Sequence, residues 1–421
     1  IGTAGGGFGF GYSAVNSTGD SFTKIPWKSL PQGKNNIKDF IPVARRTDML
    51  EKPGETFDYD GQKLKYPDIK LVYWAGGNPF HHHQDLNRLV KAWQHPNTII
   101  VNEIWWNAQA RHADIIFPAN TALERNDLML NPRDPTIVAN KKSIDSFANS
   151  KSDYEIFSGL ANRLGFESTF TDNKNEMEWI EFLWEESKKI AKDFKINLPD
   201  FMKFWANGFY EVPCPDKKKI MFENFRNDPE NFPLKTPSGK IEISSDTIES
   251  FQLKDCLSHP SWFEPYEWLG KINKYTLHLI SNQPTHRLHG QLDNAADSRK
   301  SKIKDREPVL INSSDANKRS IQDDDIVMLY NDRGKVLAGA ILSEDVMPGV
   351  VVLSTGAWFD PNYTLNTEVH GNPNVLTNDV GTSSLGQGPT SHTTLIEIKK
   401  ASKEEIADVM IFNSLSFKEN T

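Results

Sequence analysis

Between residues 69 and 101 the chain changes periodicity three times, and that succession limits the fold more than any other feature. Ile69-Lys70-Leu71-Val72-Tyr73-Trp74 reads as a buried strand running into the Gly76-Gly77 turn. The segment after it places Leu86, Leu89, Val90 and Trp93 on one helical face. Thr98-Ile99-Ile100-Val101 is then a second strand, ending at Asn102-Glu103. Strand, glycine turn, helix and strand in this order form a βαβ unit, which requires a parallel sheet. Ala113-Asp114-Ile115-Ile116-Phe117-Pro118 reads as a further short strand, and 153–164 as a helix closed by Gly165.

From Lys274 the texture becomes short β runs: 275–280, 309–312, 326–330, 335–342, 350–353 and 394–398. Asn331-Asp332-Arg333-Gly334 suits a hairpin turn between two of them. Short strands with turn signals between them predict a closed or nearly closed barrel. Three parts are therefore expected. Residues 1–62 are a loop-rich remainder of a preceding domain, and 63–268 an α/β domain with a helical insertion at about 170–237. Residues 269–421 are the β-barrel domain. In the insertion, Ile180, Leu183, Trp184, Ile190 and Phe194 form a core-facing stripe, and Ser238-Gly239-Lys240-Ile241-Glu242-Ile243 reads as a short strand. The chain opens on Ile1 with no initiator methionine, and we read it as the C-terminal part of a longer protein.

A chain of 421 residues has room for two or three cores, and its net charge of −8 argues against nucleic acid or an anionic membrane as partner. No apolar run approaches the roughly 18 residues that span a bilayer. Cys214 and Cys256 have neither metal-ligand spacing nor a disulfide framework. No nucleophile triad, paired-carboxylate pattern, P-loop or zinc motif occurs, and Gly5-Gly6-Gly7-Phe8-Gly9-Phe10-Gly11 has no preceding strand to make it a nucleotide loop.

The ligand-binding signals lie elsewhere. Gly76-Gly77-Asn78-Pro79 stands where open α/β sheets bind ligands, between a strand and a helix. A plain tight turn would look similar, and His81-His82-His83-Gln84 tilts the reading toward binding. Three successive positions on a helix diverge by about 100° each, so these histidines do not form a metal site. Asn102 ends the neighbouring strand on the same edge. Arg125 suits bidentate phosphate or carbonyl contacts, or a surface ion pair. Asp153 could accept from the ring N–H and amino group of a guanine, or simply cap a helix. In the β-rich part, the loop Gln283-Pro284-Thr285-His286-Arg287-Leu288-His289-Gly290-Gln291 and the stretch holding Asn372, Asn374 and Gln387 offer the amide edges that match a pterin-like ring.

Taken in order, these segments resemble the dimethyl sulfoxide reductase family of molybdenum enzymes, in the branch of the dimethyl sulfoxide, trimethylamine N-oxide and biotin sulfoxide reductases. The text runs Trp74-Ala75-Gly76-Gly77-Asn78-Pro79-Phe80-His81-His82-His83-Gln84-Asp85-Leu86-Asn87-Arg88-Leu89 and continues in Ala110-Arg111-His112-Ala113-Asp114-Ile115-Ile116-Phe117-Pro118 and Leu123-Glu124-Arg125-Asn126-Asp127. It resumes in Arg287-Leu288-His289-Gly290-Gln291-Leu292-Asp293 and His370-Gly371-Asn372-Pro373-Asn374-Val375-Leu376-Thr377.

The resemblance implies a Rossmann-like dinucleotide-binding domain followed by a double-psi type barrel, and a bis(molybdopterin guanine dinucleotide) molybdenum cofactor. Asn78, His82, Asn102, Arg125 and Asp153 would line a guanosine and phosphate pocket. Gln283, His289, Asn372 or Asn374, and Gln387 would contact the pterins. It implies oxygen-atom transfer from an S-oxide or N-oxide, with electrons from a c-type cytochrome or other redox protein, and the periplasm as the expected compartment. The serine ligand to molybdenum would lie in a half absent from this sequence, so no catalytic or metal-ligating residue is assigned here and the fragment alone is expected to be inactive. Rival readings are a formate dehydrogenase or nitrate reductase type enzyme, or a non-catalytic α/β protein that binds a guanine nucleotide.

Overall fold

The computed structural model describes residues 24–131, 134–214, 222–271 and 274–413. The glycine-rich opening at 5–12 lies outside them. Packing divides the chain into two units, Ile1–Ile37 with Phe117–Ile243, and Lys38–Ile116 with Ser244–Thr421.

In the second unit, the stretch expected to be loop carries regular structure. A helix covers Arg46–Glu51, and β1 (Thr56–Tyr59) pairs antiparallel with β2 (Gln62–Lys65). The turn between them is Asp60-Gly61, both at positive φ (49° and 72°), the backbone that a two-residue hairpin loop demands. Next, β3 (Leu71–Ala75) runs parallel to β4 (Thr98–Glu103), with Ala75 opposite Asn102. The helix Leu86–Ala92 connects them, with Leu86 and Leu89 buried. This is the expected βαβ unit. β5 (Ile115–Pro118) completes the sheet order β3-β4-β5.

The first unit holds the antiparallel strands β6 (Asp127–Asn131), β7 (Asp134–Asn140) and β8 (Phe209–Glu211). Its core is built on the helix Glu176–Asp193, where Trp184 is fully buried and stacks on Phe204 at 3.7 Å between centroids. Ile180 and Trp184 are buried as expected, whereas Phe194, at the helix C-cap, is exposed. The strand expected at 238–243 does not form: Ile241 and Ile243 are exposed, and no described strand pairs with them. Alternation alone cannot make a strand without a neighbour to take its hydrogen bonds.

The rest of the second unit is a barrel. Six strands close on themselves: β9 (Leu277–Ile280), β10 (Pro308–Ile311), β11 (Ile326–Tyr330), β12 (Lys335–Leu342), β13 (Val350–Leu353) and β16 (Thr394–Lys400). Their order is β10-β13-β9-β16-β11-β12, and a β10–β12 pairing shuts the ring. The β10–β12 and β13–β9 seams are parallel and the others antiparallel. Two short strands, β14 (Pro361–Asn362) and β15 (Thr367–Glu368), extend the sheet beyond β12. Alternate residues fill the interior, among them Leu277, Leu279, Val309, Ile311, Val327, Leu329, Val351 and Leu353. The fold is thus mixed α/β, with a parallel sheet and a six-stranded barrel. Among the described residues no helix is long and apolar enough to cross a membrane.

Candidate functional site

The corner after β3 is shaped by two glycines at positive φ, Gly76 at 82° and Gly77 at 75°. A Cβ on Gly76 would meet nothing, so the requirement is backbone conformation, not space. Trp74 Nε1 braces the turn by donating to the carbonyls of Gly76 (2.7 Å) and Gly77 (3.2 Å). Asn78 then caps a helix of one turn, Pro79–His82, by accepting from Phe80 N at 3.0 Å. So short a helix contributes little dipole, and polar side chains carry the site instead. Among the described residues the buried Nδ2 of Asn78 has no partner.

The three histidines diverge. His81 is buried, with its ring stacked on Trp358 at 5.7 Å and 13°. Gly290 packs so tightly on it that a Cβ there would lie 2.5 Å from His81 Nδ1. Burial lowers the His81 imidazole to about 3, so the ring is neutral, and among the described residues its Nε2 has no partner. His82 is exposed. His83 is buried against Thr47 Oγ1 (2.6 Å) and Asp379 (3.0 Å). Asn102, beside this corner in the sheet register, accepts from the Tyr73 hydroxyl at 3.0 Å.

The barrel loops face this corner within the same unit. Gln283 and His289 are joined twice, by Nε2 to His289 Nδ1 at 2.9 Å and by His289 N to Gln283 Oε1 at 3.2 Å, and both are exposed. His289 takes a positive φ of 50°, held by Arg287, whose Nε donates to the His289 carbonyl at 3.1 Å. Arg287 itself sits in a buried quartet of charge. It pairs with Glu307 (3.0 Å) and Asp293 (3.4 Å), and Lys302 pairs with the same two carboxylates at 2.7 Å each. Two cations against two anions, each tied to the others, meets the condition under which buried charge is tolerated. Gln387, also at positive φ, donates from Nε2 to the Asp58 carbonyl at 2.9 Å and ties its loop to the β1–β2 hairpin.

Asn372 and Asn374 are both engaged within the protein. Asn372 is fully buried and its Nδ2 donates to the carbonyls of Phe80 (3.1 Å) and Ala357 (2.9 Å), while its Oδ1 accepts from Asn374 N. Asn374, also buried, donates to the His81 carbonyl at 3.4 Å and accepts from Thr377 Oγ1 at 2.9 Å. These amides donate to backbone carbonyls and clasp the corner at 78–82 to the barrel. Arg125 and Asp153 belong to the first unit. Arg125 pairs with Asp127 at 3.3 Å. Asp153 is the first residue of the helix Asp153–Arg163, whose cap is Ser152 in a capping box with Glu155. The capping role considered for Asp153 is therefore taken by its neighbour.

Sequence reasoning passed over the groups beneath these loops. Glu368 is buried and accepts from the backbone N–H groups of Asp360, His370, Gly371 and Asn372. Burial pushes its carboxyl up to about 8 against those four donors, which favour the charged form. His370 is fully buried, with Nδ1 2.7 Å from the Trp358 carbonyl, and burial lowers it to about 3. Charged residues in a motif give no sign of burial, which only the barrel's closure decides.

A parallel sheet with a glycine corner at its carboxyl edge, clasped to amide-rich barrel loops, defines a protein that binds a large polar cofactor. Comparison with known proteins makes that specific. The Molybdopterin oxidoreductase family matches residues 11–163 and the Molydopterin dinucleotide binding domain residues 277–395. The chain is 45% identical to a biotin sulfoxide reductase of Cereibacter sphaeroides over 95% of its own length and 54% of that protein. It is 43% identical to a trimethylamine-N-oxide reductase of Haemophilus influenzae, covering 95% of the chain and 51% of the relative. A dimethyl sulfoxide/trimethylamine N-oxide reductase of Cereibacter sphaeroides is 41% identical with the same coverage of 95% and 51%. Acetylene hydratase from Pelobacter acetylenicus shares the fold with a TM-score of 0.63 at 16% identity, over 85% of this chain and 46% of that one. The chain belongs to the molybdopterin oxidoreductases. It spans about half the length of the curated relatives it matches. The cofactor that goes with this assignment is the molybdenum bis(molybdopterin guanine dinucleotide). The residues present fit it: Asn78 keeps a buried donor without a partner, and Gln283 and His289 present polar edges to solvent.

Proposed function

We propose that the whole protein is a molybdenum-dependent reductase that removes an oxygen atom from an S-oxide or N-oxide, with dimethyl sulfoxide, trimethylamine N-oxide, biotin sulfoxide and methionine sulfoxide as the candidate substrates. This chain is the part that holds the organic arms of the cofactor. The observation that carries the reading is the clasp of Asn372 and Asn374, which fixes the Gly76–His82 corner against the barrel loops within one unit. The names of relatives at 41–45% identity support the substrate class.

Asn78, His82 and Asn102 are assigned to the guanosine and phosphate end of a dinucleotide, and Gln283, His289 and Gln387 to the pterins. Arg125 and Asp153 are likewise proposed as cofactor-binding residues. In this reading the parallel sheet is Rossmann-like and the barrel of the double-psi type, following the three-part division at residues 62 and 268. When bound, the cofactor supplies two-electron oxygen-atom transfer, and the protein orients it. Arg287 fixes the backbone at His289, and burial keeps the His81 ring neutral. An electron donor such as a c-type cytochrome and a periplasmic setting complete the proposal.

The test is metal and nucleotide analysis of the full-length protein made in a host that synthesises the cofactor, followed by turnover with each oxide against formate and nitrate. Molybdenum near stoichiometry and turnover of an oxide are expected. A protein with neither molybdenum nor tungsten sinks the reading, and turnover of formate or nitrate alone moves it to another branch.

A further inference from the structure

Arg46 opens the helix Arg46–Glu51, in a stretch where the sequence suggested only loop. It is 8% exposed, and among the described residues its buried Nη1 has no hydrogen-bond partner. The guanidinium lies over the face of Trp74, 5.0 Å from the ring centroid, and the indole N–H of that ring is the brace on Gly76 and Gly77. Among the described residues its Nε donates to the Val43 carbonyl at 3.1 Å. Among the described residues it forms no ion pair.

The neighbouring carboxylates are already engaged. Asp48 holds Arg45 (3.0 Å), Lys52 (3.0 Å) and Arg88, and Asp379 holds Arg45 (3.0 Å), His83 (3.0 Å) and Arg88 (3.4 Å). Of these carboxylates, Asp379 acts on Arg46 through its field, and burial lowers the guanidinium to about 10, which still leaves it charged at neutral pH. An unpaired charge in this position destabilises an empty protein. A second donor without a partner, Asn78 Nδ2, belongs to the corner that Trp74 braces.

We propose that Arg46 is an anion-binding residue that takes a phosphate of the dinucleotide's diphosphate, with Trp74 holding its guanidinium flat and Asn78 Nδ2 as an accessory donor. The inference rests on the cofactor reading above and adds to it a residue and a chemical class of contact. A planar guanidinium with free N–H groups matches two oxygens of one phosphate, which an ammonium does not. Cation–π contact with the indole restricts the side chain without using those N–H groups.

Arg46→Met in the full-length protein tests this. It removes the charge but keeps an unbranched side chain of similar length. The variant and wild type are each made in a host lacking the cofactor pathway and in one that has it. Two outcomes are expected together. Without cofactor, the melting midpoint of Arg46→Met rises by about 2 °C or more, because an unpaired charge has left the interior. With cofactor, the molybdenum and acid-released guanine nucleotide retained after dilution fall about tenfold, the loss expected for one charge-assisted contact. Arg46→Lys should retain an intermediate amount.

Unchanged nucleotide retention overturns the inference. So does an empty Arg46→Met protein that melts lower or fails to fold, since Arg46 would then be structural. Wild type that carries neither molybdenum nor guanine nucleotide refutes the cofactor reading itself, a result distinct from both.

Discussion

Both Nδ2 hydrogens of Asn372 are donated to carbonyls that no water reaches, so its amide works as a two-pronged tie between loops. Asn372→Leu leaves those acceptors buried and bare, and the expected cost is about 3 kcal/mol, measured as the loss of unfolding free energy in urea. Asn372→Asp should cost as much, because a carboxylate cannot donate to a carbonyl. A loss below about 1 kcal/mol in both would remove the clasp from the account. Two of the buried histidines make a pH prediction. Burial is the main cause that lowers both His81 and His370 from 6.5 to about 3, so the folded state prefers the neutral ring. Between those limits the unfolded chain binds more protons than the native one, and stability rises with pH. This contribution is complete above pH 6.5 and is lost as pH falls toward 3, by about 1.4 kcal/mol per pH unit for each histidine. His370 faces Asp293 at 3.7 Å with Lys302 beyond it, and the attraction of the first is opposed by the second. Denaturant midpoints at pH 7, 6 and 5 should fall steadily in wild type. They should fall less steeply in His370→Gln, and an unchanged slope there would remove His370 from the acid response.

Glycines set the limits of several elements, and Gly371 combines a positive φ with a close neighbour. Its φ is 110°, and a Cβ would lie 2.5 Å from the Cβ of Glu307, a member of the buried charge quartet. Gly371→Ala should therefore cost about 2 kcal/mol or more from backbone strain alone, and thermal melting checks it. Cofactor retention should fall in parallel, because Glu307 anchors Arg287 and through it the His289 backbone. Elements whose signal is local were legible in the sequence. The 331–334 turn joins β11 to β12 as its glycine suggested, with Asn331 N bonded to the Gly334 carbonyl, and the βαβ unit at 71–103 follows its periodicity. The β1–β2 hairpin was legible too, in Asp60-Gly61, but its flanks Thr56–Tyr59 and Gln62–Lys65 are polar enough to read as loop. At 238–243 the alternation was present and the neighbour was not. The site divides the same way. Residues at turns, such as Asn78 and His289, announce themselves by their surroundings. Arg46 and the quartet around Arg287 matter because of burial by segments far along the chain, which no local pattern encodes.

Each unit has its own core, one centred on Trp184 and Phe204, the other on the barrel and the helix Leu86–Ala92. Trp184 is fully buried, stacked on Phe204, and donates from Nε1 to the Pro199 carbonyl at 3.0 Å. Trp184→Ala should cost about 3–5 kcal/mol in the first unit. Hydrogen exchange would register it as lost protection in the helix Glu176–Asp193 with the barrel strands unchanged, and equal loss in both would mean that the cores fold as one. The ring of the barrel has a consequence in time. β16 lies between β9 and β11, with Thr394 paired to Leu279 and Ile398 to Leu329. A chain emerging from the ribosome amino end first therefore carries two open strand edges until its closing strand arrives. A nascent chain stalled before residue 394 lacks that strand, and it is expected to retain no cofactor until the ring closes.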